Sequence, residues 1–222
     1  MQPKSSAHYQ REYRKRLREQ GLVKKEVWIL PEHARQLALY EQELRLSLAV
    51  RAAANTTKSV GLMQEKGESR MTDMNAPWTT TALYDALQLV PLFTSGRAEI
   101  ELIDGVSPVL HIVMNEFGDL PVFLTVAGEQ ILVEALLWSV DDVKNEAAFN
   151  EAILRTHKYF PLSTISLDKI DGDDCYHMFG ALSSHSSLLN VVHEIEILAS
   201  NVIQATEAYA EFFTESNAAL AG

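Results

Sequence analysis

Over the first fifty residues the apolar positions keep a helical period, break it once and resume it. Tyr9, Tyr13 and Leu17 fall at i, i+4 and i+8 within residues 4–20. That spacing predicts a helix, with Ser5 or Ser6 as its cap and Gly21 at the C′ position. Residues 22–30 (LVKKEVWIL) abandon the period for β-branched and aromatic residues, which predicts a short strand. Pro31 then opens a second helix at the position where its missing N–H costs little, and Leu37, Tyr40, Leu44 and Leu48 carry the stripe. This basic helix–strand–helix segment, residues 1–52, has too few apolar side chains for a core of its own. Its stripe is expected to be buried against a second copy or against the rest of the chain.

Residues 53–76 lose periodicity and mix Gly, Ser, Thr, Lys and Glu, the composition of a flexible linker. Residues 77–222 return to one regular plan. Thr79 or Thr80 caps a helix with Leu83, Leu87 and Val90 on one face, ended by Pro91. Alternating stretches then predict strands at 98–103, 109–115, 121–127 and 130–140, separated by Asp104-Gly105 and Phe117-Gly118-Asp119 turns. Helical spacing returns at 141–158, strands follow at 163–170 and 175–182 around an Asp171–Asp174 turn, and a long helix runs from Leu188 to about Phe213. Consecutive strands with short turns, and helices outside the strand run, give an α+β fold: an antiparallel sheet flanked by helices in the order α-βββ(β)-α-ββ-α.

Charge sharpens this two-part picture. The chain carries a net charge of -11, yet residues 1–51 hold 11 Lys and Arg against 6 Asp and Glu, while residues 77–222 hold 5 against 21. Opposite signs on two parts of one chain predict different partners for each, or parts that attract one another. The single cysteine, Cys175, excludes an intramolecular disulfide framework and fits a reducing compartment. No apolar run follows the basic N-terminal residues, and no stretch reaches the length needed to span a bilayer, so the expected location is the cytoplasm and no transmembrane segment is expected.

Candidate chemistry is sparse. Cys175 and His177 lie two apart on one predicted strand and so share a face, but no CxxC, HExxH or second cysteine accompanies them. The plainer role for Cys175 is a small buried residue. The Asp171–Asp174 run lacks the longer ligand series and closing Glu of a calcium loop and reads as a hairpin turn. Ser183–Ser187, with His185 among its hydroxyls, reads as a loop ending in the N-cap of the last helix. No glycine-rich nucleotide loop occurs, so no cofactor or metal is expected, and neither is an enzymatic activity. The basic segment is the sharper signal. Arg11, Arg14, Lys15, Arg16 and Arg18 crowd one helix, and Lys24 and Lys25 follow on the strand. Such a cluster suits an acidic protein surface, nucleic-acid phosphates or an anionic membrane.

Residues 13–37 (YRKRLREQGLVKKEVWILPEHARQL) resemble the start of ribbon–helix–helix proteins. The resemblance implies a strand that pairs with its twin across a homodimer, through Val23, Val27, Trp28 and Ile29. By position, Lys24, Lys25 and Glu26 would face DNA bases, as in other β-ribbon readers. One helix running on to Ala52, where that fold has a turn and a second helix, is a departure from the pattern.

Trp78–Phe93 (WTTTALYDALQLVPLF) and Pro108–Trp138 (PVLHIVMNEFGDLPVFLTVAGEQILVEALLW) resemble the bacterial YjfI family, which carries a domain of unknown function. The element order is also similar to class I type III secretion chaperones, small acidic dimers that bind extended client segments without catalysis. Together these resemblances imply a homo-oligomeric, chaperone-like adaptor in envelope stress, with a phage-shock-protein-A-like protein as client. The alternative is a DNA-binding transcriptional regulator using residues 1–52.

Overall fold

A computed structural model describes residues 5–25, 27, 37 and 76–214. Residues 1–16 and 75–222 belong to one compact unit and residues 17–74 to a second. The first described helix, α1 (Ser6–Glu19), spans the boundary between them.

The larger unit holds a six-stranded, wholly antiparallel sheet: β1 (Ala98–Ile103), β2 (Val109–Met114), β3 (Leu120–Ala127), β4 (Gln130–Ser139), β5 (Thr164–Ile170) and β6 (Asp173–Ser183). The first four strands form a meander, and β6 is inserted beside β4 so that the order is β1-β2-β3-β4-β6-β5. The α+β architecture expected from the sequence is present. Strand limits agree with expectation to within two residues at either end, because each alternating run stops where Gly, Asp or a helix cap interrupts it.

Alternation sorts the sheet into two faces. Leu110, Ile112, Met114, Leu120, Val122, Leu124, Ile131, Val133, Ala135, Tyr176 and Met178 are buried under the helices. A bulge between Leu136 and Trp138 turns Trp138 into the core as well as Leu137. Trp138 then joins Phe149, Tyr209, Phe212 and Phe213 in an aromatic cluster with ring centroids 4.7–6.4 Å apart.

Helix α2 (Thr80–Leu87) starts at Thr79, whose side chain accepts from the Ala82 N–H at 3.1 Å. Pro91 does not simply end it. Val90 is extended, and Pro91 occupies the first turn of a short helix α3 (Pro91–Thr94). The helix expected over 141–158 is also divided. Asp142 closes a 3-10 turn (Val140–Asp142), and a Val143–Phe213 bridge with a Thr214 N–H to Asp142 carbonyl bond holds Val143 extended. Helix α4 (Glu146–Thr156) begins only at Asn145, its side-chain cap. Helix α5 (Leu188–Ala208) starts at Ser187, the cap read from the sequence, and lays Val191, Ile195, Leu198 and Val202 across the sheet.

In the smaller unit α1 stops at Gly21, which takes φ +77°. Bonds from Gly21 to Arg18 and from Leu22 to Leu17 close its C-terminus as a Schellman motif. The strand expected at 22–30 is not formed by its described residues. Leu22–Lys25 and Val27 lie outside any ladder, and Val23 and Val27 are exposed. Leu22 instead gives its N–H to the Leu17 carbonyl in the helix cap, so it is committed to the end of α1 rather than to a ladder. The second helix and the linker read from the sequence lie outside the described residues, apart from helical Leu37.

Candidate protein-interaction surfaces

Two surfaces of the larger unit stand out, and the first is the seat of α1. The helix turns Ser6, Ala7 and Gln10 inward. Gln10 Nε2 donates to the Ile203 carbonyl on α5 at 3.2 Å, and Ser6 lies 3.0 Å from the Thr206 hydroxyl. On the other side Tyr13 stacks on Phe117, with centroids 5.5 Å apart, in the 3-10 turn (Asn115–Phe117) that joins β2 to β3. Arg16 grips that turn. Its guanidinium donates to both carboxylate oxygens of Asp119 (3.1 and 2.7 Å) and to the Asn115 carbonyl. Arg14 pairs with Glu207 on α5 at 3.2 Å. Both pairs are partly solvated, so each contributes about 1 kcal/mol or less. Tyr9 is half-buried in this contact, and burial, then the Asp119 charge, pushes its hydroxyl pKa up.

Gly118 explains how closely helix and turn approach. It takes φ +77°, and a Cβ there would collide with the Tyr9 carbonyl, the Glu12 Cβ and the Tyr13 nitrogen. Thus two of the basic residues singled out in the sequence meet acidic groups of the same chain. Arg11 is half-buried, and its Nε has no hydrogen-bond partner among the described residues. Lys15 is exposed, as are Arg18, Lys24 and Lys25 in the smaller unit. Trp28 and Ile29 lie outside the described residues.

The second surface is the sheet face opposite the helices. Alternation places His111, Val113, Phe123, Leu132, Leu136 and Phe179 on it, all half-exposed, with Glu134 between Phe123 and Phe179 in the register. The His111 ring stacks on Phe123 with centroids 5.2 Å apart. Every described helix packs on the other side, so this mixed aliphatic–aromatic face carries no helical layer among the described residues. Glu99 and Glu101 extend it to the β1 edge as an acidic margin.

The nucleophile candidate is placed where it cannot act readily. Cys175 is buried, and burial, followed by Asp173, Asp174, Asp142 and Asp141, raises its thiol pKa. The reactive thiolate is therefore disfavoured. Among the described residues no three His, Cys, Asp or Glu side chains are grouped to hold a metal. Asp171 and Gly172, both at positive φ, form the two-residue turn of the β5–β6 hairpin.

Sequence reasoning passed over Glu194, buried on α5 with Oε1 unpartnered among the described residues. Its signal was position, since it falls on the buried stripe three residues after Val191 and four before Leu198. Gly180, inside β6, was the matching signal of a close approach. Asn201 was passed over for the same reason; it is buried and donates to Pro161 O and Ser163 Oγ.

A family model described as an uncharacterised protein conserved in bacteria (DUF2170) matches residues 77–213. The chain belongs to the DUF2170 family. The resemblance to YjfI read from the sequence is borne out by direct comparison. YjfI of Escherichia coli K12 and YjfI of E. coli O157:H7 are each 31% identical over 135 residues, covering 61% of this chain and 97% of theirs. Among solved structures, YbjN of E. coli matches 60% of this chain and 94% of its own, at 18% identity and a TM-score of 0.42. The DUF2170 match contains the whole sheet and the wall of the α1 seat, whereas α1 lies outside it. No described helix is long and apolar enough to cross a membrane.

Proposed function

We propose that this DUF2170 protein is a non-enzymatic, cytoplasmic adaptor that binds a protein client on the open face of its sheet. The observation that carries the reading is the one-sided packing of helices, which leaves Phe123, Leu132, Leu136 and Phe179 half-exposed in one patch. An apolar patch with a polar margin is what a protein partner covers. The acidic surround favours a basic client and speeds its encounter. The family resemblance read from the sequence implies a phage-shock-protein-A-like client and a role in envelope stress, and the exposed Val23 and Val27 offer apolar side chains for homo-oligomerisation through the N-terminal segment.

The test is binding of the purified full chain to a purified phage-shock-protein-A-like protein of the same host, measured by calorimetry. Phe123→Asp and Phe179→Asp, each checked for an unchanged melting curve, should weaken binding at least about ten-fold, the loss expected for an anchor side chain at an interface centre. Wild-type affinity in both variants would reject the face as the client surface.

The alternative, a DNA-binding regulator, draws on exposed Arg18, Lys24 and Lys25. A gel-shift series against salt distinguishes it. Binding lost in Lys24→Ala/Lys25→Ala supports the regulator, and no shift at low salt removes it.

A further inference from the structure

The seat of α1 is built without α1. Arg97 pairs with Glu116 at 2.8 Å and with Glu196 at 3.0 Å, clamping the 115–119 turn to α5. Asn115 Nδ2 donates to the Gly96 carbonyl at 3.0 Å, fixing the same turn to the start of β1. The two walls of the groove are therefore held by their own contacts, and Gly118 leaves a flat place in one of them where a helix backbone fits. Each wall carries an acidic group, Asp119 on the turn and Glu207 on α5. Two positions along a helix correspond to about 200° of rotation, so Arg14 and Arg16 reach opposite walls.

The occupant fits less well than the groove is made. A helix that belongs to a core normally offers it large aliphatic side chains, but α1 offers Ser6, Ala7 and Gln10. Gln10 Oε1 and Arg11 Nε are buried with no partner among the described residues, an arrangement that costs stability. Beyond the half-buried Tyr9 and the Tyr13–Phe117 stack, the contact is held by hydrogen bonds and partly solvated ion pairs, the mixed composition of an interface that opens. The groove lies inside the stretch shared with the family and its occupant lies outside it. The domain thus owns a helix seat, and this chain supplies its own helix to fill it.

We propose that the groove between the 115–119 turn and α5 is a binding site for a basic amphipathic helix of a protein partner, and that α1 is its resident, autoinhibitory occupant. The partner's helix carries two cationic side chains two positions apart, for Asp119 and Glu207, and displaces α1 by filling the place of Gln10 without stranding a polar atom. This inference rests on reading the protein as one that binds proteins, but not on the open sheet face as the client surface.

The test uses the full chain and, as probe, a fluorescent peptide of the sequence of residues 5–20, with binding followed by anisotropy. Arg14→Glu/Arg16→Glu loosens the resident helix and should bind the probe about ten-fold more tightly than wild type, since the closed state no longer competes. Adding Asp119→Lys/Glu207→Lys to that variant should abolish binding. A second comparison does not depend on charge reversal. Ser6→Cys/Thr206→Cys replaces two hydroxyls 3.0 Å apart; oxidised, it locks α1 in place and should bind the probe about ten-fold more weakly than when reduced. Equal affinities in both comparisons overturn the proposal. A wild-type dimer that Arg14→Glu/Arg16→Glu splits would overturn it too, because the seat would then hold the helix of a second copy. Neither comparison alters the sheet face, so failure here leaves the adaptor reading to the Phe123 and Phe179 variants.

Discussion

The carboxyl group of Glu194 rests on Gly180, so that α5 meets β6 at a strand position that has no Cβ. A Cβ there would overlap Glu194 Oε1 and crowd the Leu162 carbonyl at 3.2 Å. Glu194 is 1% exposed, and burial alone raises its carboxyl pKa to about 7. Glycine and acid are thus one feature: the small residue makes the room that the polar one occupies.

Gly180→Ala should therefore destabilise the domain by about 1–3 kcal/mol, the cost of overpacking a filled core. Urea unfolding measures it. Gly180→Ala/Glu194→Ala should recover part of the loss, because the overlap is then gone; no recovery would place the strain at Leu162 instead.

Glu194 also sets a pH dependence. In the unfolded chain it releases its proton near the ordinary 4.5, and in the folded chain it keeps the proton up to about 7. Between those values the folded state binds a proton that the unfolded state has lost, so stability falls as pH rises through this window and levels off above it. The fall is on the order of 3 kcal/mol. Glu194→Gln should remove most of it when denaturation midpoints at pH 5 and pH 8 are compared. A variant with the wild-type pH dependence would rule out this residue as the source.

Gly118→Ala combines a left-handed backbone with a collision against α1. We expect a loss of about 2 kcal/mol, part conformational and part packing, together with faster tryptic cleavage at Arg11, Arg14 and Arg16. Destabilisation without faster cleavage would show that the turn yields and α1 stays seated.

Phe149 is fully buried and lies within 4.9–5.6 Å of the rings of Tyr176, Trp138, Tyr209, Phe212 and Phe213. Phe149→Ala should cost about 3–5 kcal/mol. A loss below 1 kcal/mol in thermal or urea melts would mean that the cluster closes over the gap.

The sheet was legible because alternation is a local signal: Leu110, Ile112 and Met114 announce a buried face within six residues. Its order was not legible. Nothing within β6 says that it pairs with β4 rather than adding to the far edge, since that choice depends on where α4 folds the chain back. The caps at Thr79 and Ser187 were readable for the same local reason, while the extended break at Val143 depends on Phe213, seventy residues away. The basic cluster shows the limit most clearly. Its charge was evident, but its partners, Asp119 and Glu207, are unremarkable acids in an acidic sequence. Only the fold brings them opposite Arg16 and Arg14.

The insertion of β6 beside β4 has a consequence for synthesis. As the chain leaves the ribosome, β1 to β4 can pair in turn by short hairpins, but the free edge of β4 then waits for residues made after α4 and β5. During that interval Ile131, Val133 and Ala135 lie beside an unpaired row of backbone groups, an edge open to foreign strands. Chains stalled near Lys158 should accordingly be more prone to aggregation than chains carried past Ser183. The last strand to pair in the middle of the sheet is the one that makes it safe.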